Sequence, residues 1–287
     1  MTTAVETYLN SLPENVLTID ISCSRLTSLP DLTRFKNLQE LYCYNNDLTS
    51  LPDLTIFKNL KKLHCPNNLL TSLPTLPQNI EQLYCYYNQL TSLPTLPQNI
   101  EHLICSNNKI TSLPTLPQNL KYLCCADNKL TLLPTLPQNI ESFMCSNNKI
   151  TSLPTLPQNL KSLYCNDNEL TSLPTLPQNL KKIICYDNEL NYFPTLPQNL
   201  ETLNCDNNPI SEIVNGNWFT KIKKDIQTLN NFRHLYYCLQ FKQQLRKWLW
   251  EKVREPKIKK LYNPIYLLEN LGDEDDLDAV LNNWINK

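Results

Sequence analysis

The segment LTSLPTLPQNIEQLYCYYNQ, residues 70–89, is followed by close copies of itself as far as residue 209. The copies share the frame LTSLPxLPQN(L/I)xxLxCxxNx, in which Leu, Pro, Asn and Cys stay fixed while the residues on either side of Cys change. Two earlier units, 26–47 and 48–69, are 22 residues long and read LTSLPDLTxFKNL where later units read LTSLPTLPQNL. A fixed period of this length indicates one small structural unit that stacks on itself.

The spacing within one unit predicts a short β-strand. Leu83 and Cys85 are two residues apart, so their side chains share one face of the strand, while Tyr84 and Tyr86 point to the other. Asn88 lies where the chain must turn, and its side-chain amide can bond backbone groups of its own and adjacent units. The predicted structural ladder comprises Cys85, Cys105, Cys125, Cys145, Cys165, Asn88, Asn108, Asn128, Asn148 and Asn168.

The return segment of each unit carries prolines, which remove backbone donors and disfavour helix. An extended or polyproline-like return is therefore expected. In the two 22-residue units, the longer strings DLTRFKNL and DLTIFKNL have room for a short helical turn.

Cysteine recurs at positions 23, 43, 65, 85, 105, 125, 145, 165, 185 and 205, and we expect this column to point inward as small hydrophobic side chains. Disulfides between adjacent units are the first alternative, but side chains in a parallel ladder point the same way. A zinc site needs ligands that converge on a point, whereas this column is a line, so no metal and no cofactor is predicted. Cys124 precedes Cys125 and should face outward, and the sequence leaves its reactivity open.

The residues flanking the Cys column are predicted to form an exposed face. The column just before Cys contains no Lys, Arg, Asp or Glu, and large apolar or aromatic residues on a surface suggest an interaction site. Asp127, Asp167 and Asp187 along one edge would favour a basic partner. The alternative is that the aromatic side chains only stabilise the sheet by stacking. The predicted protein-binding residues are Tyr42, Tyr44, His64, Tyr84, Tyr86, Ile104, Met144, Tyr164, Ile184 and Tyr186.

The composition narrows the class of protein. Only 2 of 287 residues are glycine, which predicts that turns needing a positive φ are infrequent. The net charge of −1 does not by itself indicate a polyanion partner. The amino-terminal string MTTAVETYLNSLPENV lacks the pattern of a signal peptide, and no apolar stretch approaches the ~20 residues of a membrane-spanning helix. A soluble, intracellular protein is expected.

The string LxxLxCxxNxL resembles the most regular segment of leucine-rich repeats, with Cys where Leu or Val is usual. The 20-residue length and paired prolines are similar to the short repeats of bacterial effectors of the YopM and IpaH type. This resemblance implies a curved leucine-rich-repeat solenoid with a parallel β-ladder on its concave side and extended returns on its convex side. The implied organisation is an amino-terminal cap with a degenerate repeat at 1–25, repeats at 26–210, and a helical carboxy-terminal cap or tail at 211–287.

Catalysis is not predicted. Effectors of the IpaH type join their repeats to a ubiquitin-ligase domain whose nucleophile lies in a Cys-x-Asp motif, which CAD at 125–127, CND at 165–167 and CYD at 185–187 match. Each string lies in repeat register with its Cys inward, so we interpret the matches as products of the repeat. The chain contains no P-loop and no GxGxxG motif.

The segment after residue 210 changes in composition. Leu235, Leu239, Leu245 and Leu249 recur with helical spacing, and a final helix is expected from Asp273. Residues 221–260 contain 12 basic and three acidic residues, which would allow contact with nucleic acid or an acidic membrane. The string from Leu249 onward also resembles the tails of repeat proteins of giant viruses that infect amoebae, which implies a viral protein in host cytoplasm or in the virion.

The sequence therefore predicts a non-enzymatic module that binds a partner protein, such as a host protein, on the concave face. One alternative is an adaptor whose helical tail docks other machinery, such as a ubiquitin ligase, while the repeats select targets. Another is nucleic-acid or acidic-membrane contact through residues 221–260, with nucleic acid the less favoured partner.

Overall fold

The structure, a computed structural model, describes residues 2–212, 224–231 and 233. The chain forms two compact units, Met1–Asn230 and Asn231–Lys287, and the features below belong to the first. Helix α1 spans Thr2–Ser11. Ten strands follow: β1 Thr18–Asp20, β2 Glu40–Tyr42, β3 Lys62–His64, β4 Gln82–Tyr84, β5 His102–Ile104, β6 Tyr122–Cys124, β7 Ser142–Met144, β8 Ser162–Tyr164, β9 Lys182–Ile184 and β10 Thr202–Asn204. A 3₁₀ turn at Pro209–Glu212 follows the last strand, and residues 224–231 are helical.

The ten strands form one parallel sheet in chain order, which confirms the predicted solenoid with a parallel ladder. We call each strand with its turn and return a rung, numbered by its strand. The first two steps are 22 residues, as in Thr18 with Glu40 and Glu40 with Lys62. Later steps are 20 residues, as in Lys62 with Gln82.

The pairing of rung 1 corrects the predicted Cys column. Ile21 N–H donates to Tyr42 O at 2.9 Å, just as Cys43 N–H donates to His64 O at 2.9 Å, so Ile21 occupies the Cys position of this rung. Cys23 lies two residues further on, in the turn, and is exposed. The 20-residue spacing of Cys23 from Cys43 is a coincidence, because the true step between these rungs is 22. If Cys23 filled the Cys column, Ser22 and Ser24 would flank it on the exposed face. The pairing instead places Ser22 in the column after the Cys position and Ser24 at the position of the ladder asparagine.

The solenoid interior is built from the fixed apolar positions. In the unit at 70–89, the buried side chains include Leu70, Leu73, Leu76, Ile80, Leu83 and Cys85. The Cys column from Cys43 to Cys205 is buried, as predicted. Burial disfavours the thiolate and raises the pKa of Cys85 and of Cys165 to about 12, so these thiols are inert. Each buried Leu or Ile contributes about 2 kcal/mol to folding.

The ladder asparagines connect every rung to the next. Asn88 Nδ2 donates to Cys65 O at 3.0 Å and to Cys85 O at 3.1 Å, and its Oδ1 accepts from Leu70 N–H at 3.0 Å. Asn108 Nδ2 donates in turn to Cys85 O at 3.0 Å. Each such carbonyl is therefore shared by two asparagine amides, and the predicted role of the asparagines is confirmed.

The turn before each ladder asparagine overturns the expectation drawn from the scarcity of glycine. The second residue after the Cys position has a φ of 50° to 54° in every rung, from Cys23 to Asn207. Asn or Asp fills this position in most rungs, because these two residues tolerate the left-handed region better than others do. Tyr87, with a φ of 51°, is a bulky exception.

The longer returns of the 22-residue units, which have room for a short helical turn, form successive hydrogen-bonded turns. Phe35 N–H donates to Leu32 O at 3.0 Å and Leu38 N–H donates to Phe35 O at 3.1 Å, which closes two successive turns without forming a helix. Asp31 Oδ1 accepts from Thr33 N–H at 2.9 Å and fixes the start of the segment. The extra residues place Phe35 in the core.

Helical residues cover both ends of the described array. At the amino-terminal end, Val5 and Leu9 of α1 are buried in the common core, and the Arg34 guanidinium donates to the carbonyls of Leu9 and Leu12. At the other end, Ile226 is buried in the same core, and the helical residues 224–231 agree with the predicted helical cap. The helical spacing predicted from Leu235 to Leu249 and the helix predicted from Asp273 lie outside the described residues, and the predicted domain boundaries stay a prediction.

The burial pattern predicts how the thiols react in native protein. Cys238 lies outside the described residues, so the test uses a Cys238→Ser variant. In this variant, Cys23 is expected to react within seconds with an aromatic disulfide reagent, and the half-buried Cys124 more slowly. The nine buried thiols of the column should react only after denaturation, because neither reagent nor thiolate is available in the core. Native protein that releases more than two equivalents before unfolding would contradict this arrangement.

Candidate protein-binding surface

The outward side chains of the strands form what we call the ladder face. It comprises three columns: the first and third residues of each strand, and the residue after each Cys position. In rung 4 these are Gln82, Tyr84 and Tyr86, which lie half-buried beside the fully buried Leu83 and Cys85. The ten predicted binding residues all lie in the second and third of these columns, and all are partly exposed. Their role in binding stays a prediction.

Three aromatic side chains on rungs 2–4 stack along the ladder. The His64 ring stacks on the Tyr84 ring with centroids 4.1 Å apart, and it makes a T-shaped contact with the Tyr42 ring, with centroids 5.0 Å apart. His64 Nε2 is enclosed and has no hydrogen-bond partner in the described part of the chain. Burial between the two tyrosines lowers the pKa of His64, with a smaller opposing effect from its bond to Gln82. Stacking, the alternative to binding, therefore accounts for much of this cluster.

A second aromatic group projects beyond the stack. Tyr86 and Tyr87 meet edge to face with ring centroids 5.8 Å apart. Tyr87 is 54% exposed and Leu69, which follows the ladder asparagine of the preceding rung, is 43% exposed. Sequence reasoning named Tyr86 but missed Tyr87 and Leu69. The sequence could have revealed both, since Tyr87 and Leu69 are large side chains at positions where the neighbouring units hold polar residues.

The middle rungs add residues from the first column, which the sequence analysis did not select. His102 and Tyr122 stack with centroids 6.0 Å apart, and the Tyr122 hydroxyl lies 3.4 Å from Met144 Sδ. Further along, Lys182 Nζ lies 4.9 Å above the Tyr164 ring, a cation–π contact. The alternation of side chains along each strand, from which Tyr164 was predicted to face outward, also places His102, Tyr122 and Lys182 on the ladder face.

The charged groups of this surface are held by polar neighbours. Glu40 accepts from Lys62 Nζ at 2.7 Å and from the Tyr42 hydroxyl at 3.0 Å, and the lysine contact lowers the pKa of the Glu40 carboxyl. In the turns, Asn147 Nδ2 donates to Asp127 Oδ1 at 2.6 Å and Asn207 Nδ2 to Asp187 Oδ1 at 2.8 Å.

None of the cysteines on or below this face is an activated nucleophile. Cys124 faces outward as predicted, but burial raises its pKa, and hydrogen bonds from Ala126 and Ser106 oppose this only in part. Cys125, Cys165 and Cys185, the cysteines of the three Cys-x-Asp strings, are buried in the core. These strings therefore follow from the repeat, as we interpreted them.

Within the described residues, no three or more His, Cys, Asp and Glu side chains come together as a metal site. No helix in the described part of the chain is both long and apolar enough to span a membrane.

Short parallel strands, an inward leucine set and an asparagine ladder define the class as a leucine-rich-repeat protein. The family model for Leucine Rich repeats (2 copies) matches residues 36–78. No curated protein matches the chain significantly.

Solved structures place the chain near bacterial effectors. It is 34% identical to the leucine-rich-repeat domain of a Shigella effector, over 60% of this chain and 76% of that one, with a TM-score of 0.52. It is 35% identical to YopM of Yersinia pestis, over 68% of this chain and 61% of that one, with a TM-score of 0.63. For YopM of Yersinia enterocolitica WA-314 the identity is 33%, the coverage 69% and 52%, and the TM-score 0.55.

The chain belongs to the leucine-rich-repeat family, and the predicted resemblance to short-repeat bacterial effectors is confirmed. It spans only about half to three fifths of the two YopM chains, with 52% and 61% covered. The likeness to giant-virus proteins was drawn from the string beginning at Leu249, which lies outside the described residues.

The environment of His64 predicts a pH dependence of stability. Its folded-state pKa lies below the ordinary 6.5, so the unfolded chain binds this proton more tightly than the folded chain does. Stability is therefore lost as the pH falls from about 6.5 through the folded pKa. In His64→Tyr, which continues the tyrosines of adjacent rungs, the loss between pH 6.5 and 5 should be smaller.

Denaturant midpoints measured for both proteins across this range check the expectation, because carboxylates that titrate there are common to both and cancel in the difference. Parallel pH profiles for wild type and His64→Tyr would contradict it.

Proposed function

We propose that this chain is a non-enzymatic binding module that holds a partner protein against its ladder face and the adjoining turn of rung 4. The observation that carries the proposal is Tyr87, whose large exposed ring occupies a left-handed turn position. Leucine-rich-repeat proteins are typically interaction modules, and the relatives of known structure include effectors.

Folding alone does not favour tyrosine at position 87. A residue other than Gly, Asn or Asp in the left-handed region costs about 1–2 kcal/mol. The rungs on either side hold Asn67 and Asn107 at this position, with φ values of 53° and 54°. Asparagine would thus relieve strain here without changing the turn, and an exposed ring gains little from burial in the free protein. Contact with a partner would explain why tyrosine occupies position 87, whereas the requirements of the fold do not.

Stacking explains His64 but not the projecting group. The column of Tyr87 holds asparagine on both neighbouring rungs, so its ring has no aromatic partner above or below it. Its contact is with Tyr86 of the same rung, which makes a paired aromatic surface. Tyrosine supplies rigid contact area and a hydrogen-bonding tip, as binding hot spots do. Tyr86 and Tyr87 are therefore the proposed centre of the site, with Tyr44 and Leu69 at its margin.

A host protein as partner and an intracellular or virion location remain part of this proposal. The adaptor alternative depends on residues 211–287 and the nucleic-acid or membrane alternative on residues 221–260. Most of both ranges lies outside the described residues, so these alternatives stay predictions. The observations above favour a protein partner on the ladder face over either of them.

A Tyr86→Ser, Tyr87→Asn double variant tests the site. Both replacements already occur at the same columns, as Ser106 and Asn107, so the variant should fold and be more stable than wild type by about 0.5–1 kcal/mol. Its affinity for the partner should fall at least 100-fold, because truncation of a hot-spot residue costs about 2 kcal/mol or more.

The measurement is affinity capture from cells on the immobilised full chain with quantitative mass spectrometry, followed by titration of the captured protein. Tyr8→Ser, an exposed tyrosine on α1, serves as the matched control. A protein captured by wild type and control but lost from the double variant supports the proposal. Equal capture by all three chains would place any binding elsewhere and refute the ladder-face site.

A further inference from the structure

One edge of the ladder carries a column of charges that the fold leaves without counter-ions. The residue after each ladder asparagine is Lys109, Lys129 and Lys149 on rungs 5–7, then Glu169 and Glu189 on rungs 8 and 9, and all five are exposed. None takes part in the five ion pairs of the described residues. Lys109 makes one hydrogen bond, to Gln89 Oε1 at 3.3 Å.

Lysines occupy one end of this column and glutamates the other, so two copies of the column placed antiparallel bring opposite charges together. When a second copy lies antiparallel, with a two-fold axis between rungs 7 and 8, Lys149 faces Glu169 of the second copy and Lys129 faces its Glu189. Symmetry makes each contact twice. An axis through rung 7 would place Lys149 opposite Lys149 of the second copy, and an axis through rung 8 would place Glu169 opposite Glu169. The axis between rungs 7 and 8 is therefore the one that avoids like charges in this column.

A second column on the same edge selects the same axis independently. Three residues beyond each of these charges, Ser112, Ser152 and Ser172 occupy rungs 5, 7 and 8. Rung 6 instead holds Leu132, which is 68% exposed, and rung 9 holds the half-exposed Tyr192. The axis that sets Lys129 against Glu189 of the second copy also sets Leu132 against its Tyr192.

We propose that two copies of this chain associate antiparallel through this edge, with the axis between rungs 7 and 8. The polar contacts are Lys129–Glu189 and Lys149–Glu169 between copies, and the apolar contact is Leu132–Tyr192. The paired residues lie on rungs 6–9, whereas Tyr86 and Tyr87 lie on rung 4, so these two tyrosines are not among the residues that the association pairs.

The size of the edge sets the strength of the dimer. Five rung spacings of ~4.8 Å give a strip about 24 Å long, and a width of about 15 Å buries roughly 700 Å² in total. Stable complexes bury ~1,200 Å² or more, so the dissociation constant should be micromolar or weaker. The adjacent column also brings Asp127 near Asp187 of the second copy, which weakens the contact further. Low salt strengthens the paired charges.

Sedimentation equilibrium of the full chain at low salt, from about 1 to 300 μM, tests the proposal. The mass should rise from 33.4 kDa toward twice that value with concentration. Lys129→Glu and Leu132→Ser should each weaken association at least ten-fold. Neither threatens the fold, because Glu and Ser already fill these columns in other rungs.

A charge exchange distinguishes contact between copies from contact within one chain. Lys129→Glu with Glu189→Lys should restore association, although these residues are three rungs, about 14 Å, apart in one chain and cannot pair there. Lys129→Glu with Glu169→Lys, matched in charge but wrong in register, should not. A monomer at every concentration, a dimer indifferent to Lys129→Glu, or failure of the Glu189 exchange to restore association would each overturn the proposal.

Discussion

The structure depends on the hydrogen bonds of the ladder asparagines. Each strand is only three residues long, so the ladder ends where the chain turns away and leaves backbone groups in the interior. At rung 6, Asn128 Nδ2 bonds Cys105 O at 3.0 Å and Cys125 O at 3.2 Å, while Oδ1 accepts from Ile110 N–H at 3.0 Å. Because this amide satisfies the turn from within, the outward positions of the same rung are free to carry almost any side chain.

The features set by local periodicity were predictable from the sequence. Alternation at Leu83 and Cys85 predicted strand and burial, and the recurring Asn88 position predicted the hydrogen-bonded ladder. The outward placement of Tyr84, Tyr86 and Tyr164 followed from the same alternation. These predictions succeeded because neighbouring rungs repeat one environment, so a local pattern determines the packing around it.

The errors arose where the repeat is imperfect or where one residue type substitutes for another. Cys23 was misplaced because a 20-residue spacing is shared by chance, and only the pairing of β1 with β2 shows that Ile21 fills its column. Scarce glycine did not limit left-handed turns, since Asn and Asp fill them, and Tyr87 was passed over because its role there depends on φ. Likewise, the face-to-face stacking of His64 on Tyr84 depends on the orientation of the two rings, which spacing alone does not supply.

Chemical denaturation of Asn128→Ala beside Asn139→Ala tests most directly whether the inner asparagine ladder holds the solenoid together. Asn139 also bonds the preceding rung, through Nδ2 to Gln118 O at 2.9 Å, but on the exposed return. Loss of Asn128 leaves the buried Ile110 N–H unpaired and removes contacts to three carbonyls, those of Cys105, Cys125 and Ala126. We therefore expect a cost of about 3 kcal/mol, against less than about 1 kcal/mol for Asn139. Equal losses of stability in the two variants would contradict the account.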